Sequence, residues 1–366
     1  RLIAVDPSPQ CPALPVIDQH IPGDFKDEEK IKQLATQSDI VGFEIELANS
    51  SVLAELSAQG KPIHPSPQTL KLIQDKLFQA DFLQNHDLPV PGFKQVDTRQ
   101  DLEAAIAAYG LPLMLKARTD SYDGRGNYVL RKQEDMEDAL RYFDGRALMA
   151  QQYIPFDIEI SVIAARGTDD HVTTFPVGEN IHGKDYNILQ TTVVPARVKN
   201  SIIQKAGEIA EATMKALQGA GVFGIEMLVA GDDVLINEIA PRVHNSGHYS
   251  IEGCHTSQFE QHLRAIAGEA LGDTSLAAEA VVMHNINGPE GMKGDYRMMF
   301  DGHAISGTTP VGDGAVIHNY GKDITKPYRK MGHVTVVAQQ GEPQEALVQR
   351  AADIRNRISI KEALTS

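Results

Sequence analysis

Near residue 111 the hydrophobic pattern changes its rhythm, and the two rhythms call for different architectures. Before that point strand-like and helical stretches alternate, with a β-like run at 2–6, a helical stretch at 27–36 and a second β-like run at 39–46. Such alternation is the mark of an α/β layer. Ser66 followed by Pro67 supplies an N-cap and a proline at the first helical position, with Leu70, Ile73 and Leu77 on one face. A helix is expected there, ending at Pro89 and Pro91. Thr98 and Asp101 have the spacing of a capping box, opening a helix through Leu102 and Ile106 that stops at Gly110. Beyond 111 come short β-like runs at 111–118, 127–131, 147–153, 158–166 and 172–177, with one helical stretch at about 134–143. Consecutive strands with one packed helix predict an α+β module in place of a second doubly wound sheet. A long helix at 201–217, a β-hairpin at 222–239, a β-rich final hundred residues and a terminal helix at about 342–357 complete the reading.

Composition narrows the function. With 34 Lys+Arg against 49 Asp+Glu, the net charge of −15 has the wrong sign for a chain whose main task is gripping a nucleic-acid backbone. No segment approaches the ~18 uninterrupted apolar residues of a membrane span. Cys11 and Cys254 are too few for a disulfide framework or a cysteine-based zinc site, so a reducing, cytoplasmic location is expected. The 366 residues predict two or three domains. The chain opens at Arg1 directly into a strand, which leads us to expect a strand and helix upstream of it.

The hairpin carries the clearest chemical signal. If its turn centres on Asp232, Glu226 and Glu238 lie opposite one another with Cβ atoms roughly 5 Å apart. A hard divalent cation between the carboxylates would offset their repulsion, and Mg²⁺ commonly takes one or two carboxylates plus phosphate oxygens. Asn237 adds an oxygen donor. The plain alternative is two acids on a solvated face, since a one-residue slip in register separates them. Directly after Glu238, Arg242, His244, Asn245 and His248 leave the strand end, where ligands collect, and an arginine fork suits a planar oxyanion. Lys116 ends an apolar run and is followed by Tyr122-Asp123-Gly124-Arg125-Gly126-Asn127. Glycines there would let backbone N–H groups approach phosphates, although the spacing fits neither a Walker loop nor a dinucleotide fingerprint, and Gly-Arg-Gly-Asn also reads as a hairpin turn. Lys322, Lys326, Arg329 and Lys330 form a basic cluster, read either as a solvated loop or as a clamp for a substrate phosphate.

On these residues the chain resembles the ATP-grasp superfamily, and within it the 5-(carboxyamino)imidazole ribonucleotide synthases. The runs that carry the likeness are residues 66–76, Tyr122-Asp-Gly-Arg-Gly-Asn127, the stretch 236–248 with its Pro-Arg-Val-His-Asn-Ser-Gly-His, residues 256–264 and Lys330-Met-Gly-His333. The resemblance implies an ATP-grasp fold, α/β and α+β, with an N-terminal α/β (pre-ATP-grasp) domain at 1–70 lacking its first strand. It further implies an ATP-grasp domain at 71–266 with a mobile lid at about 95–153, and a small β-rich C-terminal domain with its terminal helix at 267–366. By the same resemblance Lys76 and Lys116 contact ATP phosphates under a flap formed by Tyr122, Asp123, Gly124, Arg125, Gly126 and Asn127. Gln151, Gln152, Tyr153 and Ile154 form the adenine edge, where many relatives have Glu in place of Gln151. Glu159 holds the ribose, His182 lies near the nucleotide, Asn237 and Glu238 face the phosphates, and Glu226 with Glu238 holds Mg²⁺. Arg242, His244 and Asn245 organise bicarbonate and the phosphorylated intermediate. Tyr122, Asp123, Arg125, Lys322 and Arg329 bind aminoimidazole ribonucleotide, Asp123 orienting the substrate amine or taking its proton, with Lys322 also counted among the catalytic groups.

The activity so implied is phosphorylation of bicarbonate by ATP to carboxyphosphate, then carboxylation of aminoimidazole ribonucleotide in purine synthesis, by a homodimer that binds only small molecules. Two rivals remain: a related carboxylate-amine ligase that uses formate on a purine precursor, and an ATP-binding relative without turnover.

Overall fold

Two short parallel strand pairs open the chain, Ile3–Asp6 with Gln19–Pro22 and Val41–Gly42 with Ile63–His64. The computed structural model describes residues 1–120, 126–183 and 188–363. Asp27 accepts from the backbone N–H groups of Glu29 and Lys30 and so starts the helix Glu28–Gln37. Its Ile31 and Ala35 pack with Val52, Leu53 and Leu56 of the helix Ser50–Ala58 and with Ile63 and Leu70 into one core. The strand expected at 39–46 is shorter, because its partner Ile63–His64 runs into Pro65, which has no N–H to offer the ladder. The residues beyond Gly42 instead carry Glu44 and Glu46 to the edge of a cleft. The single helix expected from Ser66 is two, Pro67–Ile73 and Lys76–Asn85. Asp75 makes the break by accepting from Leu77 N and Phe78 N, which sets Lys76 at the first position of the second helix.

Residues 93–152 form a four-stranded antiparallel sheet in the order Phe93–Val96, Leu148–Gln152, Leu113–Ala117, Asn127–Leu130. The capping box is present, with Asp101 N donating to Thr98 Oγ1 and Thr98 N donating to Asp101 Oδ2 at 2.8 Å, and it starts the helix Arg99–Tyr109. That helix and Met136–Tyr142 cover the sheet, enclosing Leu102, Leu113, Leu115, Leu130 and Met136 in a core of their own.

A ten-stranded sheet carries most of the rest, beside a three-stranded one of His303–Ile305, Tyr296–Phe300 and Ile358–Glu362. Gly221–Ala230 runs between Ile158–Arg166 and the outer strand Asp233–Ala240. The helix Asn200–Ala216 lays Ile202, Ala206, Ala210 and Met214 on this end, against Ile160, Val162, Phe223 and Ile225. On the other side of Ile158–Arg166 the sheet continues through Gly178–His182, Leu189–Val194, Val281–Asn287, Lys330–Val337, Ala315–Asn319 and Thr308–Gly312. Strands after residue 280 therefore extend the sheet that carries the hairpin. The helix Gln344–Asn356 seals this part with Leu347, Ala351 and Ile354 against Val282, Ile317 and Val334. One strand was not expected: after the helix, Ile358–Glu362 pairs with Tyr296–Phe300. Among the described residues no helix is long and apolar enough to cross a membrane.

Candidate active site

The hairpin brings its two acids face to face, by a route that residue counting does not anticipate. Ala230 pairs with Asp233 across a two-residue turn in which Gly231 takes φ +61°, and this register holds through Met227 and Ile236. A bulge at Asn237 then shifts it, so that Glu226 pairs with Glu238. On the other flank Glu226 pairs with Ser161, and Glu159 lies on the same face as Ser161 because side chains repeat every second residue. Three carboxylates thus converge from three neighbouring strands. Burial, then the neighbouring Glu238, pushes Glu226 up to about 7. Burial, then Glu226, pushes Glu159 up to about 8. Burial works against the Glu238 anion too, but Lys76 and Lys116 hold it below the usual carboxylate range.

Two lysines face these acids. Lys76 Nζ donates to Glu238 Oε1 at 2.6 Å. Lys116, 7% exposed, donates to Asn237 Oδ1 at 3.2 Å. Burial, reinforced by Lys76, lowers the Lys116 ammonium to about 8, so at neutral pH it remains mostly charged and gains from any anion placed beside it. Arg118 forks onto Asp75, its Nη2 2.6 Å from Oδ2 and its Nε 3.1 Å from both oxygens. The carboxylate that caps the Lys76 helix therefore also anchors the end of the Lys116 strand.

Past Glu238 the chain turns into the cleft. Arg242 lies 2.7 Å from Glu46, and although burial lowers its pKa, Glu46 and Glu44 raise it on balance. His244 Nε2 stands 3.5 Å from Glu226 Oε1 while its Nδ1 meets Ser246 Oγ at 2.8 Å. Burial, then Arg242, keeps this imidazole neutral. Asn245 and Asn285 exchange amide hydrogen bonds at 2.9 and 2.7 Å. Glu159, Glu226, Glu238, Lys76, Lys116, Arg118, Asn237, Arg242, His244 and Asn245 line one cleft of about 1040 Å³, while Asp75, Ser246 and Asn285 support them from outside its lining. Gln151, Gln152, Tyr153 and Ile154 form part of its wall, as do Asn127, Glu159 and His182. His182 Nε2 is 3.5 Å from Glu159 Oε1. Lys322 reaches in from the far side, its Nζ donating to the Lys330 carbonyl at 2.8 Å.

Known proteins match the chain along most of its length. Residues 1–74 match the ribonucleotide synthetase preATP-grasp domain, 81–259 the ATP-grasp domain and 282–346 the phosphoribosylaminoimidazole carboxylase C-terminal domain. The N5-carboxyaminoimidazole ribonucleotide synthase of Synechococcus elongatus is 35% identical over 330 residues, covering 90% of this chain and 82% of that protein. The chain belongs to the N5-carboxyaminoimidazole ribonucleotide synthase family of ATP-grasp ligases. The crystal structure of the Thermotoga maritima synthetase superposes with a TM-score of 0.85 at 36% identity, covering 99% of this chain and 92% of that one. The Aspergillus clavatus synthase, solved with ADP and 5-aminoimidazole ribonucleotide, gives 0.82 at 34% identity, covering 97% and 91%. Phosphoribosylaminoimidazole carboxylase of Ogataea methanolica is 37% identical over 375 residues, covering 100% of this chain. Against that protein and four further carboxylases of the same name, the chain spans only 58% to 67% of the relative's length.

Within this synthase-type cleft most residues expected from sequence come together, but not all. Arg329 does not line it. Side chains alternate along the strand Lys330–Val337, so Lys330 faces the cleft, while Arg329, one residue earlier, donates to the Ile324 carbonyl at 2.9 Å. Gly126 lies outside the lining and accepts from Ala117 N at 2.8 Å. Tyr122, Asp123, Gly124 and Arg125 lie outside the described residues. Sequence reasoning missed Asp75, Arg118, Glu44 and Glu46, and placed Lys330 only within a basic cluster. Alternation would have found Arg118, since Met114, Lys116 and Arg118 share one face. Glu46 carried no such signal, because its stretch read as a strand and its partner Arg242 lies far along the chain.

Proposed function

We propose that the chain carries out the reaction of its family: ATP and bicarbonate carboxylate 5-aminoimidazole ribonucleotide to N5-carboxyaminoimidazole ribonucleotide, with release of ADP and phosphate. The observation that carries this reading is the meeting, in one cleft, of Lys76 and Lys116, the facing carboxylates and the Arg242, His244 and Asn245 run. An oxygen of bicarbonate attacks the γ-phosphorus of ATP, the bond to ADP breaks, and carboxyphosphate forms. Its C–O bond to phosphate then opens with release of inorganic phosphate, and the exocyclic amine of the ribonucleotide takes up the carboxyl carbon as it gives up a proton to that phosphate. Lys76 and Lys116 neutralise the phosphates. Lys76 is held by Glu238 until a phosphate competes for it, and Lys116 is already poised beside Asn237. Arg242, its fork fixed by Glu46, holds the planar carbonate group, with neutral His244 and Asn245 supplying directed hydrogen bonds. Gln151 to Ile154 offer the adenine edge, while Glu159 and His182 face the ribose. Tyr122, Asp123, Arg125 and Lys322 receive the ribonucleotide, with Lys330 added to them and Arg329 kept outside that contact.

The donor set also suits a magnesium ion. Glu226 and Glu238 face one another, Asn237 adjoins Glu238 and offers an oxygen beside Lys116, and the repulsion of the acids is relieved only in part by Lys76. When bound there, magnesium would offset charge on the transferring phosphoryl group. The same reading places domains at 1–70, 71–266 with a lid at about 95–153, and 267–366, in a cytoplasmic homodimer. Light scattering on the purified chain tests the dimer. The test of function is ADP release with Mg-ATP, with bicarbonate and 5-aminoimidazole ribonucleotide added singly and together in degassed buffer. Release that requires both supports the reading. Release that needs formate, or none with ATP bound, overturns it.

A further inference from the structure

Lys330-Met-Gly-His333 ends in a histidine that the reaction leaves without a task. His333 lies on the strand Lys330–Val337 and is 1% exposed. In the sheet it pairs directly with His318 of Ala315–Asn319, and the two rings stack with centroids 4.4 Å apart and planes 16° from parallel. Glu252, on the short helix Ser250–Gly253, closes the group, its Oε1 accepting from His318 Nε2 at 2.7 Å. Ligand atoms of these three side chains lie within 4.8 Å of one another.

Two polar atoms in this cluster are buried without a partner among the described residues, His333 Nε2 and Glu252 Oε2. Leaving both unpaired is costly, and a ligand that accepts electron pairs would satisfy both at once. The remaining nitrogens are already held from behind: His333 Nδ1 contacts Tyr320 Oη at 2.8 Å and His318 Nδ1 contacts Thr308 Oγ1 at 3.2 Å. Outer contacts of that kind fix ring orientation and tautomer in histidine-metal centres.

We propose that Glu252, His318 and His333 form a binding site for a divalent transition-metal ion of the zinc type, separate from the acids of the catalytic cleft. Two imidazoles and one carboxylate suit zinc, whose tetrahedral bonds would set the ligand atoms roughly 3.3 Å apart. The Glu252 to His318 contact of 2.7 Å would open by about 0.6 Å to reach that spacing. His318 and His333 also line a smaller cavity bordered by Ile251, Phe259 and Thr308. His248 and Tyr320 line both this cavity and the catalytic cleft, so an occupied site would stiffen a shared wall.

The test is binding of Zn²⁺ to the full chain after chelator treatment, by competition with a chromophoric chelator, with Co²⁺ absorption as a second reading. The wild-type chain should take up one ion below about 1 µM and give the visible bands of a four-coordinate cobalt centre. Glu252→Gln and His318→Gln should each weaken uptake at least tenfold, with near-ultraviolet circular dichroism showing a folded chain. Glu226→Gln, in the catalytic cleft, should leave it unchanged. The proposal is overturned by uptake weaker than about 100 µM in the wild-type chain, or by uptake lost in Glu226→Gln and kept in Glu252→Gln. If His318→Gln fails to fold, Glu252→Gln and the wild-type cobalt spectrum still decide.

Discussion

Replacing Glu226 with Gln should make the chain more stable at alkaline pH in the absence of metal and nucleotide, the reverse of the usual effect of altering a buried polar group. Glu226 faces Glu238 across the hairpin and lies near Glu159 on the next strand. Burial and this repulsion raise its carboxyl from 4.5 to about 7 in the folded chain. The folded state therefore holds a proton that the unfolded state releases as pH rises past about 4.5, and stability falls between about pH 4.5 and pH 7. A rise of that size corresponds to at most about 3.4 kcal/mol, at 1.36 kcal/mol per unit. Part of it belongs to the coupled titration of Glu159, and the side chain keeps 22% of its exposure, so a net gain of about 2 kcal/mol is expected for Glu226→Gln near pH 8. Near pH 5 the gain should fall below about 1 kcal/mol, because Glu226 is then already neutral when folded. For a chain of 366 residues unfolding as one unit, about 2 kcal/mol corresponds to a rise of about 3 °C in Tm. Thermal melts of both proteins in EDTA across this pH range read the difference. A variant less stable than wild type at pH 8, or a difference independent of pH, would refute the like-charge account of this site.

Other substitutions separate chemistry from scaffold. Glu238→Gln removes one of the facing acids and the partner of Lys76, and should lower magnesium-dependent ADP release at least about 100-fold; near-normal turnover would remove Glu238 from the metal role. Asp75→Ala strips the cap of the helix Lys76–Asn85 and strands Arg118, each partner's side chain being 13% exposed, so chemical denaturation should report a loss of about 3 kcal/mol. Gly219→Ala should lose at least about 2 kcal/mol in the same assay, because Gly219 sits at φ +95° and a Cβ there would meet the backbone N of Ser66 and lie 3.0 Å from Pro65 C. Thr98→Ala removes half of the capping box and should cost about 1 kcal/mol, read as a small fall in the denaturation midpoint.

What the sequence could disclose follows how locally each feature is determined. The capping box at Thr98 and the helix at 200–216 were legible because caps and periodicity act within a few residues. The break at Asp75 was not, since the apolar spacing of Leu70, Ile73 and Leu77 continues through it and only the cap bonds to Leu77 N and Phe78 N reveal it. The ion pair between Glu46 and Arg242 joins segments far apart in the chain, so neither residue announces the other. The continuation of the hairpin's sheet through strands after residue 280 likewise depends on long-range pairing, which no local pattern encodes.

The facing acids show how a right expectation can rest on incomplete grounds. A turn centred on Asp232 places Glu226 opposite Glu238, yet the actual turn closes between Ala230 and Asp233, one residue out of that register. Unbroken, this register would have set Glu226 opposite Asn237 and turned Glu238 to the other face. The bulge at Asn237 restores the pairing, and it does so where an extra residue is useful: Asn237 is left beside Lys116, accepting its ammonium at 3.2 Å. The irregularity is thus part of the site, because one unpaired residue both aligns the two carboxylates and seats the buried lysine next to them.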